Sequence, residues 1–218
     1  MKRMSKIWAG AAAGVFTLMA GLPGSASAVT TTTNCTDELA PGIYGQVIVP
    51  AGEACFSDGG VTIRNGLWIQ PGATFVQGDE EHPGNNGSIL GGVHASSAAS
   101  VQIHFTTIIG GIDINGGASP FGGPFGITWN AIEDNLIRGN VSINGYNGFW
   151  QGFIRNRVAG NVSLTNNVLA DEDGNEFVTN TISGNMSCSG NDPSPQVGDS
   201  EGLPNIVGGS KLGQCAAV

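Results

Sequence analysis

A short phrase recurs through the second half of the chain and constrains its fold more than any other feature. The phrase reads Asn, any residue, Ile or Val, any residue, Gly, then Asn or Ser, and its copies begin at Asn135, Asn156, Asn180 and Asn205. A looser form, in which apolar residues flank a Gly or Asn, extends into the first half. The marker Gly or Asn recurs about every 23 residues, a period typical of stacked repeats, at Gly45, Asn65, Gly91, Gly110, Gly139, Gly160, Gly184 and Gly209.

The residues around each marker alternate between apolar and polar, as they do in a β-strand, for example at Val141 and Ile143 and again at Val162 and Leu164. The chain contains 36 Gly, and because Gly costs about 1 kcal/mol relative to Ala inside a helix, crossover helices are disfavoured. Strands with neither hairpin spacing nor crossover helices must pair with their own next copies. We therefore expect an all-β chain that forms a single-stranded, right-handed parallel β-helix of about eight coils with disulfide-stapled ends.

Stacking allows side chains to be compared by column, because equivalent residues lie about 4.8 Å apart in adjacent coils. The first Asn of each phrase should form a ladder whose amides satisfy buried turn backbone. Outward-facing residues should form columns in the same way. One outward column is predicted to contain Ile48, Trp68, His94, Asp113, Ser142, Ser163 and Ser187.

The N-terminus has the features of a secretory signal peptide. Residues 2–6 carry three basic side chains, residues 7–22 are apolar, and residues 26–28 form a small-residue cleavage site. We expect residues 1–28 to be removed and residues 29–218 to form one secreted domain. An uncleaved anchor is the alternative, although Gly and Pro interrupt the apolar stretch, and no later segment is apolar for long enough to span a bilayer.

Acidic side chains outnumber basic ones by 17 to 8, for a net charge of −9. Loss of the basic leader would make the mature chain more negative still. Such a surface repels phosphate backbones, so nucleic acid is not an expected partner. Neutral glycans and cations are compatible with it.

All four cysteines follow the leader, and an even number in an exported chain favours two disulfides. Of the three possible pairings we prefer Cys35 with Cys55 and Cys188 with Cys215, one bridge near each end. A zinc site is disfavoured because no Cys-x-x-Cys pair is present.

Taken together, the leader, the Gly-Asn repeats and the segments 184–188, 190–191 and 213–215 make the chain resemble the right-handed parallel β-helix, pectate-lyase-like superfamily. Within it, the chain is most similar to small secreted actinobacterial proteins that lack an assigned activity. The resemblance implies the fold along nearly the whole mature chain. It does not select a function, because the superfamily includes lyases, hydrolases, adhesins and inert scaffolds.

Three members of the outward column, His94, Asp113 and Ser142, have the residue types of a hydrolytic triad. A triad requires His between Ser and Asp, so that the base reaches the nucleophile. Here Asp lies between the other two, about 9.6 Å separating His from Ser. A His94–Asp113 hydrogen bond on a solvated sheet is the preferred interpretation.

The superfamily's lyases combine carboxylates, calcium and a basic Arg, so the resemblance makes Asp113, Asp134, Arg138 and Arg155 candidates for a minimal catalytic site. Arg155 falls at the position of Asp134 in the next coil. A cross-coil salt bridge is the simpler explanation of that pair, and it is the one we prefer.

Aromatic residues cluster in two successive Gly-rich loops, at Trp129, Tyr146, Phe149 and Trp150. Trp129 and Trp150 each lie six residues before a ladder Asn, so we expect them to be neighbours. Such a cluster is suited to the apolar face of a sugar ring. The alternative, that the cluster closes the core beneath a loop, is the one we prefer, because Phe153 should share a column with Ile132 and Phe177 and be buried.

The corresponding loop of the next coil is acidic, and Asp171, Asp173 and Asn175 place oxygen atoms at alternate positions, as at the start of a calcium loop. The Gly and Glu that complete an EF-hand are missing. A weak Ca²⁺ site and a solvated acidic loop are both compatible with the sequence, and the latter is preferred.

Three function classes are therefore expected. The leading one is an exported non-catalytic solenoid that binds extracellular or cell-wall glycan through loop aromatics. The alternatives are a polysaccharide lyase or glycoside hydrolase, and a structural surface or coat component.

Overall fold

The chain was analysed as a computed structural model, which describes residues 31–78, 83–84, 86–118, 129–197 and 202–218. In these residues the regular structure is almost entirely strand, arranged in three sheets whose neighbouring strands are all parallel. The chain visits sheets C, A and B in turn, so that each circuit forms one coil stacked on the last. The expected parallel β-helix is confirmed.

The strands of each sheet follow one another in coil order. Sheet A contains β1 Thr32–Asn34, β3 Gln46–Val49, β6 Leu67–Ile69, β9 Val93–Ser96, β12 Ile112–Asn115, β15 Val141–Asn144, β18 Val162–Thr165, β21 Met186–Ser189 and β23 Lys211–Gly213. Sheet B contains β4 Ala54–Ser57, β7 Thr74–Gln77, β10 Ser100–His104, β13 Trp129–Glu133, β16 Trp150–Ile154 and β19 Asn175–Val178. Sheet C contains β2 Gly42–Tyr44, β5 Val61–Ile63, β8 Gly87–Leu90, β11 Thr106–Ile109, β14 Leu136–Arg138, β17 Arg157–Val158, β20 Thr181–Ile182 and β22 Ile206–Val207. The eight described strands of sheet C match the expected number of coils.

The core fills the inside of the coils because strand residues alternate between inward and outward positions. In β12, Ile112 and Ile114 are buried whereas Asp113 and Asn115 are exposed. Apolar side chains therefore stack on their equivalents in adjacent coils.

Phe153 and Phe177 show this stacking in sheet B. Both are fully buried, and their ring centroids lie 5.5 Å apart. Ile132 occupies the same column one coil earlier. The expectation that Phe153 belongs to the core is confirmed.

The predicted asparagine ladder runs along the turn that follows sheet B. Each Oδ1 accepts a hydrogen bond from the backbone N–H of the preceding ladder Asn, at 2.8–3.0 Å for the steps from Asn135 to Asn156, Asn180 and Asn205. Each Nδ2 donates to a backbone carbonyl of the preceding coil, such as Ile132 O for Asn156. The ladder satisfies turn backbone that would otherwise be buried without a partner.

Two further ladders occupy the other corners. Asn140, Asn161 and Asn185 form an exposed one, in which each Oδ1 accepts a backbone N–H of the next coil. Asn167 and Asn191 form a buried one that ends on Gln214.

The marker glycines line up where successive turns approach closely. A Cβ on Gly160 would lie 2.4 Å from Gly139 O, and one on Gly184 would lie 2.6 Å from Gly160 O. Side chains are excluded there by contact between backbones. This contact explains why the repeat carries Gly at its marker position.

The two disulfides join Cys35 to Cys55 and Cys188 to Cys215, as preferred from the sequence. The second bridge fixes a short 3-10 helix, Gln214–Ala217, against β21. No helix in the described ranges is long and apolar enough to cross a membrane. The predicted signal peptide, residues 1–28, lies outside the described residues.

Candidate functional site

An open concavity of about 610 Å³ lies on the outward face of sheet A. Its walls come from four successive strands, β3, β6, β9 and β12. We call it the sheet A groove, and the side chains that a ligand would meet are Gln46, Trp68, Gln70, His94, Asp113 and Asn115. The lining crosses four coils and extends across the strands from Gln46 to Pro71.

Trp68 is the largest exposed side chain of this groove, with 44% of its surface accessible. Its ring stacks on His94 of the next coil, with 4.3 Å between centroids and 23° between planes. Gly66 leaves room for the indole, since a Cβ at that residue would lie 3.3 Å from Trp68 Nε1. His94 is held in turn, because its Nε2 lies 3.0 Å from Gly91 O. The indole is therefore both exposed and fixed in orientation.

Polar side chains continue from the groove along the outward face of sheet A. Asn144 Nδ2 donates to Asn115 Oδ1 at 3.0 Å, and Thr165 Oγ1 donates to Asn144 Oδ1 at 2.9 Å. Ser142 and Ser163 lie beside them in the neighbouring column. This strip of hydroxyls and amides, which we call the polar strip, extends the groove toward the C-terminal coils.

The predicted outward column is confirmed residue by residue, with Asp113 paired to His94 on one side and to Ser142 on the other. Asp113 thus separates the other two, and a triad is excluded. The expected His94–Asp113 hydrogen bond is wrong, however. In the described part of the groove, the His94 ring stacks on Trp68 and its Nε2 contacts Gly91 O, and no hydrogen bond joins it to Asp113.

The structure does not bring the lyase-like candidates together. Asp134 and Arg155 form the predicted cross-coil salt bridge, with 2.8 Å between Oδ2 and a guanidinium nitrogen. Glu133 accepts a second contact from Arg155 at 3.1 Å. Asp113 lies on sheet A and Arg138 on sheet C, whereas the ion pair occupies the corner between sheets B and C. These residues are therefore distributed over different faces.

Trp129 and Trp150 are Cα partners in β13 and β16, so the predicted neighbours are confirmed. Trp129 and Phe149 are 38% and 37% exposed, and Trp150 is half-buried. The Trp150 indole lies over Gly152 and donates from Nε1 to Glu176 Oε1 at 2.9 Å. Residues 119–128 of the preceding loop lie outside the described residues. The use of this aromatic pair as a sugar-binding surface stays a prediction.

Tyr146 does not belong to that surface, which corrects the prediction from sequence. Its side chain is fully buried, and its hydroxyl donates to Ala99 O at 3.3 Å. Its backbone N–H donates to Asn167 Oδ1, which places it in the column of the buried ladder. Burial raises the pKa of the phenol far above its ordinary value. The ring is a core element and cannot contact a ligand.

Asn175 is likewise not positioned as a third calcium ligand. It is fully buried, its Nδ2 donates to Pro193 O, and its Oδ1 accepts from Gln151 Nε2. Asp171 instead accepts the backbone N–H of Asp173 within the turn. In the described ranges no three His, Cys, Asp or Glu side chains are grouped to hold a metal ion. The acidic segment 79–82 lies outside these ranges.

Two features were missed from sequence. The first is the stacking of the exposed Trp68 indole on His94, although the sequence placed both residues in the correct column. The second is that His104 is the Cα partner of Glu133 across β10 and β13. Both of these side chains are more than nine-tenths buried, on the outward face of sheet B. Column alignment, applied to sheet B as well as sheet A, would have found the pair.

The sheet A groove combines a fixed aromatic ring with hydrogen-bonding side chains. In its described part, no hydrogen bond joins a hydroxyl to His94 or Asp113. Comparison of the chain with protein families, with curated proteins and with solved structures gave no match.

Proposed function

We propose that this chain is an exported, non-catalytic β-solenoid that binds polysaccharide through the sheet A groove. The observation that carries the proposal is the exposed indole of Trp68, held against His94 inside a concavity. An aromatic ring packs well on the apolar face of a sugar, and nearby amides and carboxylates bind its hydroxyls. Gln70, Asp113 and Asn115 supply such groups.

The distribution of charged and nucleophilic groups supports binding without turnover. General acid–base and nucleophilic catalysis require the reacting side chains to lie within hydrogen-bond reach of one another. Here Asp113 and the Asp134–Arg155 pair are on different faces of the solenoid. The resemblance to the pectate-lyase-like superfamily supports the fold only, and the same fold carries proteins with and without catalytic activity.

Export is supported by two observations. Disulfides near both ends suit an oxidising compartment. The sequence of residues 1–28 has the charge and hydropathy pattern of a cleaved leader.

A glycan array probed with the mature protein tests the proposal. We expect wild type to bind at least one polysaccharide and Trp68→Ala to lose that binding. Trp129→Ala is the matched control, because it removes an indole of similar exposure from sheet B. Absence of binding to every glycan would refute the proposal. If Trp129→Ala lost binding and Trp68→Ala kept it, the binding site would lie on sheet B instead of sheet A.

The same samples test the non-catalytic part. After long incubation with the polysaccharide that binds, we expect its size distribution in gel filtration to be unchanged. Shortened chains would instead identify a lyase or hydrolase.

A further inference from the structure

We infer that Asn147 is a site of covalent modification, at which the side-chain amide is lost through a succinimide formed with the backbone nitrogen of Gly148. Water is the only co-reactant, and the reaction is independent of the proposed glycan binding. Three observations carry the inference: the Asn-Gly sequence, the exposure of Asn147, and the lack of hydrogen bonds on the peptide group that joins the two residues.

The reaction replaces the side-chain amide by a carboxyl group. The Gly148 nitrogen gives its proton to solvent and attacks Asn147 Cγ, the new N–Cγ bond forms, and the Cγ–Nδ2 bond breaks. Nδ2 takes a proton from solvent and leaves as ammonia. Water then opens the five-membered ring, giving Asp by attack at Cγ and isoaspartate by attack at the backbone carbonyl carbon. Gly favours ring closure because it has no side chain beside the attacking nitrogen and has a flexible backbone.

The fold protects four of the five Asn-Gly pairs in the chain, which begin at Asn65, Asn86, Asn115, Asn144 and Asn147. In three of them the glycine N–H donates to a backbone carbonyl of the next coil at 2.7–2.9 Å, from Gly66, Gly116 and Gly145. In a fourth the Asn86 side chain is buried and donates from Nδ2 to His104 O at 3.0 Å. These contacts keep either the attacking nitrogen or the amide from ring closure.

The Asn147–Gly148 peptide group is not restrained in this way. Among the residues that the structure describes, neither the Asn147 carbonyl nor the Gly148 N–H forms a hydrogen bond. The peptide groups on either side are fixed, because Asn147 N–H donates to Gly117 O at 2.8 Å and Gly148 O accepts from Ala170 N–H at 3.1 Å. The Gly148 nitrogen can therefore turn toward Cγ while its neighbours stay in place, and water reaches the exposed amide.

The pair Asn65–Gly66 is a matched comparison within the same molecule. Asn65 and Asn147 are both exposed, and Gly66 and Gly148 are both buried. The pairs differ in the hydrogen bond from Gly66 N–H to Leu90 O. Reaction at Gly66 requires that bond to open first, and the free energy of this local opening slows it.

The products would change the loop that carries the exposed aromatic rings. Either product adds one negative charge, and isoaspartate also adds one carbon to the main chain between the buried Tyr146 and the exposed Phe149. We therefore expect the Phe149 side chain to shift relative to Trp129 in the isoaspartyl form.

Incubation of the folded mature protein at mildly alkaline pH, followed by peptide mapping with tandem mass spectrometry, tests the inference. We expect the mass gain of an amide-to-acid conversion to accumulate at Asn147 at least about tenfold faster than at the other four pairs. Isoaspartate should be among the products, because direct hydrolysis of the amide gives Asp alone. In the reduced, urea-denatured chain the five rates should converge, since each Asn is then followed by an unrestrained Gly.

Two variants complete the experiment. Asn147→Gln should abolish the reaction at this position, because closure of the larger ring that Gln forms is much slower. Asn65→Gln is the control and should leave the yield at Asn147 unchanged. Equal rates at Asn65 and Asn147 in the folded protein, or a product at Asn147 that contains no isoaspartate, would overturn the inference.

Discussion

The side-chain oxygen of Asn180 accepts two hydrogen bonds from Asn156 in the preceding coil, one from its backbone N–H at 2.8 Å and one from its Nδ2 at 3.2 Å. Asn156 Oδ1 in turn accepts two from Asn135. All three side chains are buried. The ladder is thus a continuous set of hydrogen bonds in which each member satisfies groups in both neighbouring coils.

Asn156→Ala should destabilise the fold by about 2–4 kcal/mol, because it leaves the Asn135 N–H and the Ile132 carbonyl buried without their partner. Urea denaturation measures the change. Asn161→Ala is the matched control: it removes a ladder Asn from the same coil at an exposed corner, where water can replace the lost bond. Its expected cost is about 0.5 kcal/mol. Equal costs would show that burial does not govern the ladder.

Gly160→Ala should destabilise the solenoid by about 1–3 kcal/mol, because its Cβ would lie 2.4 Å from Gly139 O and the two turns would have to separate. Gly42→Ala provides the comparison, since the nearest atom to a Cβ there is 3.5 Å away. Neither glycine has the positive φ that side chains avoid, so the comparison isolates the steric contact. Thermal melts of the two variants should differ clearly, and indistinguishable melts would refute the explanation of the repeat.

The marker glycines and ladder asparagines allowed the fold to be predicted from sequence because the backbone needs them at the same position in successive coils. The glycines allow successive turns to approach closely, and the asparagines form hydrogen bonds with buried turn backbone. A column assignment in sheet A followed directly, and it placed Trp68, His94 and Asp113 correctly. Side-chain orientation did not follow, because register determines which residues are neighbours and not how their rings turn. His94 stacks on Trp68 for that reason, instead of reaching Asp113.

The error at Tyr146 has a different origin. A Gly-rich loop was taken to be exposed, but Gly145 is the left-handed corner residue, equivalent to Asn166 and Gly190 in later coils. The residue after that corner enters the buried ladder, so an aromatic ring there must fill the core. The pairs Asn166-Asn167 and Gly190-Asn191 show the same corner in the sequence, with a Gly or Asn followed by a ladder Asn, and aligning Gly145-Tyr146 with them would have predicted that Tyr146 is buried.

Burial of Tyr146 makes stability depend on alkaline pH. The pKa of its phenol is raised in the folded protein by desolvation, whereas in the unfolded chain the phenol ionises near pH 10. Above that pH the unfolded state loses a proton that the folded state keeps, so stability falls by about 1.4 kcal/mol per pH unit. Stabilities from urea titrations should be independent of this group between about pH 8 and 9 and should fall toward this slope above about pH 10.

Tyr146→Phe should flatten that slope, at a cost of about 1 kcal/mol at neutral pH for the lost bond to Ala99 O. Tyr44→Phe, which alters a half-buried tyrosine bonded to Ala40 O, should leave the slope in place. An unchanged alkaline slope in Tyr146→Phe would assign it to other groups.

Reduction of the disulfides should loosen the two ends separately. The bridges close segments of 20 and 27 residues, and loss of each should cost about 3 kcal/mol through the entropy of the unfolded chain. Because each coil contacts only its neighbours, the effect should remain near the bridge that is lost. In the double variant Cys188→Ser, Cys215→Ser, amide exchange should accelerate in β21 and β23 and stay slow in β3 and β6. Cys35→Ser with Cys55→Ser should give the reverse pattern, and uniform acceleration along the chain would show that the solenoid unfolds as one unit.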